Sequence, residues 1–415
     1  LVVTEPVVID VADAVAPDHS DFAAAYPAVE HLTGAPANYY LEASRGCWWG
    51  ERRHCVFCGI HTSAIQFRQK SAERVLAEVT DLLARHRTFR FVLADTILAK
   101  EHFAELLPQL EQLRSEHDFE YLLDVKSSLS KQEVYLLARS GCVALQLGIE
   151  SLSDRLLRLM TKGNTALQQV QAIKWCAEAG MAPYYALLTH IVDERPEDYD
   201  EVLGFARYLV HLPPPRAVVP IELDRYAPYF REWQVRGFDH PRPQPWYRLM
   251  FGPDATDLEA FAYHFDGTHP STDGPELVER RAALYRFVTE QWVPDHASTR
   301  LTYRAGRGWL RLTRKHGGSV ERRDIEGPAA ALYRACDELR TGRDLRAQFA
   351  DDLGPDQVDR LLGEWREQGL LVKARGRDVH LALATDERPL RARSDLGPAA
   401  GGSAVSHQPL AVVAG

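Results

Sequence analysis

The chain has few features of secreted or membrane proteins. It has six cysteines in 415 residues, three of them crowded together, which is not the pattern of a disulfide framework. No stretch approaches the roughly 20 apolar residues that span a bilayer. The first residues carry acidic groups without the basic flank of a signal peptide. The net charge of −9 argues against general affinity for polyanions. We therefore expect a cytoplasmic protein that binds neither membranes nor nucleic acid.

The most informative feature is a group of three close cysteines, Cys47, Cys55 and Cys58, in the segment SRGCWWGERRHCVFCG. Two residues separate Cys55 from Cys58, so both sulfur atoms can face one centre. The seven residues back to Cys47 form a loop that closes a third side. Iron-sulfur clusters are normally held by four cysteine thiolates, so a set of three leaves one position for another ligand.

Other interpretations of these cysteines remain open at this point. His54 or His61 would complete a closed zinc site with three sulfur atoms and one nitrogen, as in a zinc-stabilised protein that binds a peptide or nucleic acid without catalysis. A thiol redox pair is a third interpretation. The remaining cysteines are isolated in apolar runs, which is typical of small buried side chains. They are Cys142, Cys176 and Cys336.

The pattern along the chain predicts an α/β fold of several parts. Residues 1–38 are an entry arm. In residues 39–235, short β-rich runs alternate with amphipathic helical stretches, which is typical of parallel βα units. Six such units predict a partial (β/α)6 barrel of the TIM type. The predicted strands are 39–43, 89–94, 120–125, 143–148, 184–188 and 217–223. The cysteine loop follows the first strand and would lie at the carboxyl ends of the strands, where such barrels place their active sites.

The second half of the chain changes character. Residues 236–298 are rich in aromatic residues and proline, and we expect them to pack across one barrel opening. Residues 299–383 contain a hairpin, three helices and two further strands, which predicts a winged-helix-like α+β module. Residues 384–415 are rich in Ala, Gly, Ser and Pro, which indicates a disordered tail.

With three cysteines at the mouth of a partial barrel, the chain resembles the radical S-adenosylmethionine (radical SAM) superfamily. The spacing CX7CX2C departs from the usual three and two residues. Together with Arg45-Gly-Cys-Trp-Trp-Gly, it is similar to the subfamily that matures ribosomally made peptides (bacteriocins, or RiPPs) and includes C-methyltransferases. The similarity runs over roughly residues 39–265.

This resemblance implies a cofactor, a reaction and partners. Cys47, Cys55 and Cys58 would hold a [4Fe-4S] cluster, and the amino and carboxylate groups of S-adenosylmethionine would chelate the open iron. One electron, from a donor such as flavodoxin or ferredoxin, would then yield a 5′-deoxyadenosyl radical that abstracts hydrogen from the substrate. The substrate would be a ribosomally synthesised precursor peptide, modified by C-methylation, epimerisation or crosslinking.

The resemblance also implies residues that bind S-adenosylmethionine. Phe57 would shield the cluster near the adenine, and Asp95 would lie near the amino group of the methionine moiety. The residues expected at its carboxylate and ribose are Lys126, Gln146, Glu150 and Ser151. For Lys126 the structural alternative is a solvated charge at a strand end. For Glu150 it is a carboxylate placed favourably at a helix start.

Two departures from the family pattern stand out. Relatives commonly carry a Gly-Phe-Pro-Gly-Glu turn after the fifth strand, whereas this chain has His190-Ile-Val-Asp-Glu-Arg-Pro196. Many members also carry an amino-terminal cobalamin-binding domain of roughly 100 residues or more, but only 46 residues precede Cys47 here. Either the chain is a fragment or the enzyme works without cobalamin, so cobalamin stays an uncertain cofactor.

Overall fold

The entry arm packs on the first strand of the core. The computed structural model describes residues 10–11, 14–34, 36–60, 65–252 and 257–387. The arm contains two short helices, α1 (Ser20–Ala25) and α2 (Glu30–Thr33). The ring of Phe22 packs edge-on against Tyr39 with centroids 5.4 Å apart, and a ring nitrogen of His19 bonds the Tyr40 carbonyl at 2.9 Å.

The central part of the chain alternates strands and helices, as the sequence pattern predicts. In chain order the elements are β1 (Tyr39–Leu41), β2 (Ser44–Arg45), β3 (Arg68–Gln69), α3 (Ala72–His86), β4 (Arg90–Leu93), α4 (His102–Glu105), α5 (Leu107–Leu113), β5 (Glu120–Val125), α6 (Lys131–Arg139), β6 (Cys142–Leu147), α7 (Asp154–Leu159), α8 (Ala166–Glu178), β7 (Ala182–Tyr184), β8 (Ala186–Thr189), α9 (Pro196–Ala206), β9 (Ala217–Pro220) and β10 (Leu223–Asp224).

The strands of this part form a parallel core. Five of them, β1, β4, β5, β6 and β7, are hydrogen-bonded in that order and all parallel. A parallel pair, β8 and β9, continues the arrangement, and a parallel bridge between Glu150 and Leu187 connects it to the chain after β6. The α/β fold with a parallel sheet is thus confirmed. The predicted fifth strand is divided in two, β7 and β8.

Local sequence signals set the helix boundaries of this core. The Ser71 hydroxyl accepts from the backbone N–H of Arg74 and caps α3, which then buries an apolar stripe. Gly141 and Gly180, with φ of 107° and 72°, follow α6 and α8, where a left-handed residue ends a helix without a Cβ clash.

The next part of the chain forms a small antiparallel sheet with helices around it. Its elements are α10 (Pro228–Arg231), α11 (Trp233–Arg236), β11 (Arg242–Pro243), α12 (Trp246–Phe251), α13 (Leu258–Phe261), β12 (His264–Asp266), α14 (Pro275–Phe287) and α15 (Val293–His296). The strand order is β10-β12-β11. Its apolar core includes Val56 of the cysteine loop, and the Tyr229 N–H donates to the Val56 carbonyl at 2.9 Å. This extension therefore braces the cysteine loop.

The carboxyl-terminal part contains two further sheets. Its elements are β13 (Arg300–Gly306), β14 (Trp309–His316), β15 (Ser319–Glu326), α16 (Gly327–Ala335), β16 (Arg340–Thr341), α17 (Gly342–Gln348), α18 (Pro355–Glu367), β17 (Leu371–Lys373), β18 (Val379–Ala382) and β19 (Thr385–Asp386). The sheets have the orders β15-β14-β13-β19 and β16-β18-β17. The predicted hairpin is thus extended by β15, whose side chains are almost all exposed.

The end of the described chain differs from the predicted boundary. Thr385 and Asp386 pair with β13, so the ordered chain continues past residue 383. Of the predicted tail 384–415, residues 388–415 lie outside the described residues. Within the described part, no helix combines the length and the apolar character needed to cross a membrane.

Candidate active site

The cysteine loop is held at both ends. The short antiparallel pair β2 and β3 closes its base, with Ser44 opposite Gln69. The Cys58 N–H donates to the Cys55 carbonyl at 3.1 Å, which makes the tight turn that the CX2C spacing predicts. The Gly50 N–H points at the Cys47 sulfur at 3.3 Å. The loop is therefore shaped by backbone hydrogen bonds that leave all three thiols available, and none is in a disulfide.

All three thiols line one cavity of about 380 Å³. Its floor is formed by residues at the carboxyl ends of the parallel strands, among them Thr96, Lys126 and Gln146. Burial raises the pKa of Cys55, and it raises the pKa of Cys58 to about 11. Without a metal these two thiols are therefore protonated at neutral pH, and metal binding would release their protons.

The spread of the sulfur atoms distinguishes between the metal centres considered from the sequence. Sulfur atoms bound to one zinc ion at about 2.3 Å lie at most about 4.6 Å apart. Within the described residues, the sulfur atoms of Cys47, Cys55 and Cys58 do not all lie within 4.8 Å of one another, and neither does a set that includes His54. His54 instead bonds the Cys58 carbonyl through a ring nitrogen at 2.9 Å. The described residues therefore do not favour the zinc interpretation, and His61 lies outside them.

Two lysines add positive charge to the cavity wall. The Lys126 ammonium donates to the Lys162 carbonyl at 2.6 Å and lies 3.9 Å from the ring centre of Trp49. Lys162 forms an ion pair of 2.9 Å with Glu150. Burial, helped by repulsion from Lys162, lowers the pKa of Lys126 to about 8. Burial also opposes the charge on Lys162, but Glu150 and the nearby cysteines raise its pKa overall.

Trp49 closes one side of the cavity. Its indole N–H donates to the Thr161 carbonyl at 3.2 Å. A Cβ on Gly163 would lie 2.2 Å from the Trp49 ring, and the φ of Gly163 is 76°. Glycine is therefore required at this position twice over, by the backbone conformation and by the packing of the tryptophan.

A second cavity of about 680 Å³ adjoins the first. The two share Phe57, Glu150 and Arg216 as lining residues. The guanidinium of Arg216 stacks over the ring of Tyr184 at 4.1 Å, which places a cation on the boundary between them. The larger cavity is otherwise bordered by apolar residues of β9 and of the segment after α14, with acidic groups at one end.

Comparison with known families agrees with this geometry. The sequence model of the Radical SAM superfamily matches residues 41–206, which contain the three cysteines and strands β4 to β8. These residues form a radical SAM domain.

Curated relatives match this chain over part of their length. An uncharacterized methyltransferase of Pyrococcus horikoshii is 27% identical over 173 residues, which cover 40% of this chain and 36% of the relative. The ribosomal protein uS12 methylthiotransferase RimO of Campylobacter jejuni is 20% identical over 187 residues, 42% of both chains. The chain thus spans about two fifths of the length of the curated relatives it matches.

Solved structures of radical SAM enzymes are also similar. The radical S-adenosylmethionine methyltransferase TsrM of Kitasatospora setae, bound to tryptophan and a SAM analogue, gives a TM-score of 0.46 at 17% identity, covering 59% of this chain and 51% of that chain. Coproporphyrinogen III oxidase of Escherichia coli gives 0.34 at 16% identity, covering 86% and 88%. The assignment of the radical SAM domain rests on the sequence match.

Most of the predicted site residues of the radical SAM domain lie in the cavity, but two do not. Phe57, Lys126, Gln146 and Glu150 line it together with the three cysteines. Asp95 is buried below the cavity, where its carboxylate accepts from the Ala43 N–H at 2.8 Å and the Ser44 hydroxyl at 2.6 Å. Burial raises the pKa of Asp95 to about 6. This carboxylate holds the corner between β1 and β2, so its predicted place near the methionine amino group is not supported by its contacts.

Ser151 is the second predicted site residue that does not line the cavity. Its side chain is buried, and its hydroxyl accepts from the Ser153 N–H at 3.1 Å in the turn before α7. Glu150, directly before it, has a φ of 62°, which turns its carboxylate toward Lys162. One residue of this pair therefore faces the cavity, and the other supports the turn.

Several cavity residues were not predicted from the sequence. Among them are Trp49, Thr96, Asp124, Lys162, Tyr184 and Arg216. Asp124 offered a signal, because it lies on β5 two residues before Lys126, which directly follows the strand, and alternate residues of an extended chain share a face. Burial and repulsion from Asp95 raise the pKa of Asp124 to about 7. Lys162 offered none, because it follows a short helix rather than a strand.

The turn after the fifth strand has an unusual backbone conformation. His190 and Asp193 have φ values of 60° and 63°, in the left-handed region that residues other than glycine seldom adopt. Glu194 of the same turn forms an ion pair with Arg281 at 2.6 Å.

Proposed function

We propose that this chain is a radical SAM enzyme that modifies a ribosomally synthesised peptide, with C-methylation as the first reaction to test. The observation that carries the proposal is the convergence of Cys47, Cys55 and Cys58 on one cavity at the carboxyl ends of parallel strands. Their shared cavity would suit a [4Fe-4S] cluster with one iron free of protein sulfur, and the Gly50 N–H that faces the Cys47 sulfur would bond a cluster thiolate.

When bound, the cluster would supply the electron that cleaves S-adenosylmethionine to a 5′-deoxyadenosyl radical. The residues of this chain bind, orient and exclude water. Lys126 and Lys162 would offer positive charge to the carboxylate of S-adenosylmethionine, and Phe57 lines the same cavity, with its ring centre 5.8 Å from the Lys162 ammonium. Gln146 and Glu150 provide polar groups for the ribose hydroxyls.

The peptide substrate is proposed from the sequence resemblance and from the space beside the cysteine cavity. The cavity of about 680 Å³ shares Phe57 and Glu150 with it, so a side chain bound there would lie beside the place of radical formation. The carboxyl-terminal module has the element order helix, strand, helix, helix, strand, strand from α16 to β18, which supports a winged-helix-like interpretation. An extended leader peptide can bind such a module by adding a strand to a sheet edge.

The electron donor is proposed from charge. Arg52 and Arg53 are exposed in the cysteine loop, in a chain whose net charge is −9. A local positive surface beside the cluster would favour docking of an acidic carrier such as flavodoxin or ferredoxin.

The radical function is tested by anaerobic reconstitution with iron, sulfide and S-adenosylmethionine. The wild-type chain should take up iron and sulfide, gain broad visible absorbance, and form 5′-deoxyadenosine on reduction. The C47A/C55A/C58A variant should do none of these. C176A, which removes a buried thiol of α8, is the matched control and should behave as wild type. Equal 5′-deoxyadenosine formation by the triple variant, or none by the wild type, would contradict the proposal.

The substrate and the reaction need a separate test. Precursor peptides encoded beside the gene should show the mass increase of a methyl group when incubated with the reconstituted enzyme, and parallel reactions with and without methylcobalamin decide whether cobalamin takes part. A mass loss of two hydrogen atoms would indicate crosslinking instead. Peptides that stay unchanged while 5′-deoxyadenosine accumulates would overturn the peptide substrate but leave the radical function standing.

A further inference from the structure

A second group of metal-binding side chains lies at the acidic end of the larger cavity. It consists of Glu222, Asp224 and His264, which we call the carboxylate-histidine triad. One ligand atom from each residue lies within 4.8 Å of the other two, and within the described residues these are the only three such side chains. Glu222 and Asp224 line the cavity of about 680 Å³. The triad is separate from the three cysteines.

The sheet of the extension brings these residues together. Asp224 on β10 and His264 on β12 are direct partners in the antiparallel register. Glu222 precedes Asp224 by two residues, so its side chain projects from the same face as that of Asp224. The three donors thus come from β10, from the residue directly before it, and from β12.

The distances fit adjacent positions around a six-coordinate cation. His264 Nδ1 lies 2.8 Å from a carboxylate oxygen of Asp224 and 3.1 Å from one of Glu222. Ligands in adjacent octahedral positions, with bonds of about 2.1 Å, lie about 3.0 Å apart. Because Glu222 and His264 are partly exposed and Asp224 lines the cavity, further coordination positions would stay open to water or substrate.

The charges of the carboxylate-histidine triad also favour binding of a cation. Two carboxylates share one imidazole, and within the described residues no lysine or arginine forms an ion pair with either of them. Arg225, the neighbour in sequence, donates instead to the Ala262 and Glu259 carbonyls. A protonated histidine would compensate only one of the two negative charges, whereas a divalent ion compensates both.

We propose that Glu222, Asp224 and His264 bind a single divalent first-row cation such as Mn²⁺ or Zn²⁺. One nitrogen and two carboxylate oxygens suit ions of this intermediate character. A Cβ on Gly59 of the cysteine loop would lie 2.2 Å from the Asp224 Cβ, so the triad and the cysteine loop are in direct contact through this glycine. The cation would hold a carbonyl or carboxylate oxygen of the bound substrate beside the cysteine cavity.

The test uses the full chain with the C47A/C55A/C58A substitutions, so that added metal cannot occupy the cysteine site. Mn²⁺ is titrated at neutral pH, and free Mn²⁺ is followed by electron paramagnetic resonance. The parent should bind a single ion per chain, which Zn²⁺ displaces because it binds such donors more tightly. D224N and H264A should each weaken Mn²⁺ binding by at least about tenfold, a size usual for lost metal-site interactions.

The control is H240A, which removes another exposed histidine of the extension, 3.9 Å from Glu259. It should bind Mn²⁺ as the parent does. D224N keeps the side-chain shape, and its unfolding temperature without metal should match that of the parent. Absence of Mn²⁺ and Zn²⁺ binding by the parent, or equal binding by parent, D224N and H264A, would overturn the proposal and leave a cross-strand ion pair. Since the assay contains no cluster, its failure says nothing against the radical function.

Discussion

Lys126 lies in an electrostatic setting opposite to that of Lys131 and Lys174. Lys126 lines the cysteine cavity, where its neighbour Lys162 forms the ion pair with Glu150, whereas Lys131 and Lys174 join the parallel core to the carboxyl-terminal part. Lys174 is fully buried, yet its ammonium donates to an Asp337 oxygen at 2.7 Å and to the Asp337 and Ala382 carbonyls. Lys131 forms ion pairs with Glu178 at 2.7 Å and Asp337 at 2.6 Å.

The pKa directions express this difference. Burial, with repulsion from Lys162, lowers the pKa of Lys126 to about 8, and the ammonium donates to a carbonyl oxygen, which does not offset this as a carboxylate would. Burial also acts on Lys131, but Glu178 and Asp337 outweigh it and raise its pKa. A lysine with too little negative charge around it is typical of a site that receives an anion. A lysine with complete pairing belongs to a finished interface.

The largest effect on stability is expected from removing Asp337, the carboxylate shared by Lys131 and Lys174. Asp337→Ala leaves Lys174 buried without its carboxylate and removes one partner of Lys131. Loss of one partner from a buried ion pair typically costs about 3–5 kcal/mol of the free energy of unfolding, and we expect a loss of this size in urea denaturation. Asp359→Ala removes an exposed partner of Arg346 and should cost less than about 1 kcal/mol. Equal losses of stability in the two variants would contradict a larger contribution of the buried ion pairs of Asp337.

An effect of intermediate size is expected on the pH dependence of stability, from His211 where the parallel core meets the carboxyl-terminal part. The buried His211 bonds the Leu383 carbonyl at 3.0 Å, and burial lowers its pKa from 6.5 to about 4. Since the unfolded chain takes up this proton first, the contribution of His211 lowers stability as pH falls from 6.5 toward 4. His211→Gln should reduce the acid loss by on the order of 2 kcal/mol.

The measurement for His211 is the free energy of unfolding at several pH values. The variant and wild type should differ in the slope between pH 6.5 and 4. His117→Gln, at an exposed histidine, serves as the control and should leave the slope unchanged. An unchanged slope in His211→Gln would mean that this interface does not sense acid.

The smallest effect on stability is expected from replacing Lys126 in the cysteine cavity. Lys126→Met removes a buried charge that forms no ion pair with a carboxylate among the described residues, so the free energy of unfolding should fall by less than about 1 kcal/mol or rise. In the reconstituted protein, the same change should weaken S-adenosylmethionine binding by about tenfold, or 1.4 kcal/mol. Lys131→Met should do the reverse, with lower stability and unchanged binding. The same pattern in both variants would remove the contrast between the two regions.

The sequence predicted the parallel core well because its signals are local. Short β-rich runs between capped helices identified the strands, and the cysteine spacing identified the loop that follows the first strand. It predicted less well where residues meet from distant positions. Asp95 follows β4 in the sequence, as expected for a cofactor ligand, but its carboxylate accepts hydrogen bonds from Ser44 and Ala43. Lys162 reaches the cavity from the segment after α7. Strand β15 was missed because its exposed, charged side chains show no apolar alternation.

By itself, the sequence determined the radical SAM domain, because three cysteines at a fixed spacing after a strand form a local motif that needs no distant partner. The tertiary structure alone decided which polar groups face the cavity. The side chain of Glu150 faces the cavity, whereas that of Ser151 forms a hydrogen bond in the turn before α7. Glu222, Asp224 and His264 lie together only because β10 and β12 pair. The reason is physical: a side chain's role depends on what burial and neighbouring charges leave it free to bind, and those neighbours come from residues far apart in the chain.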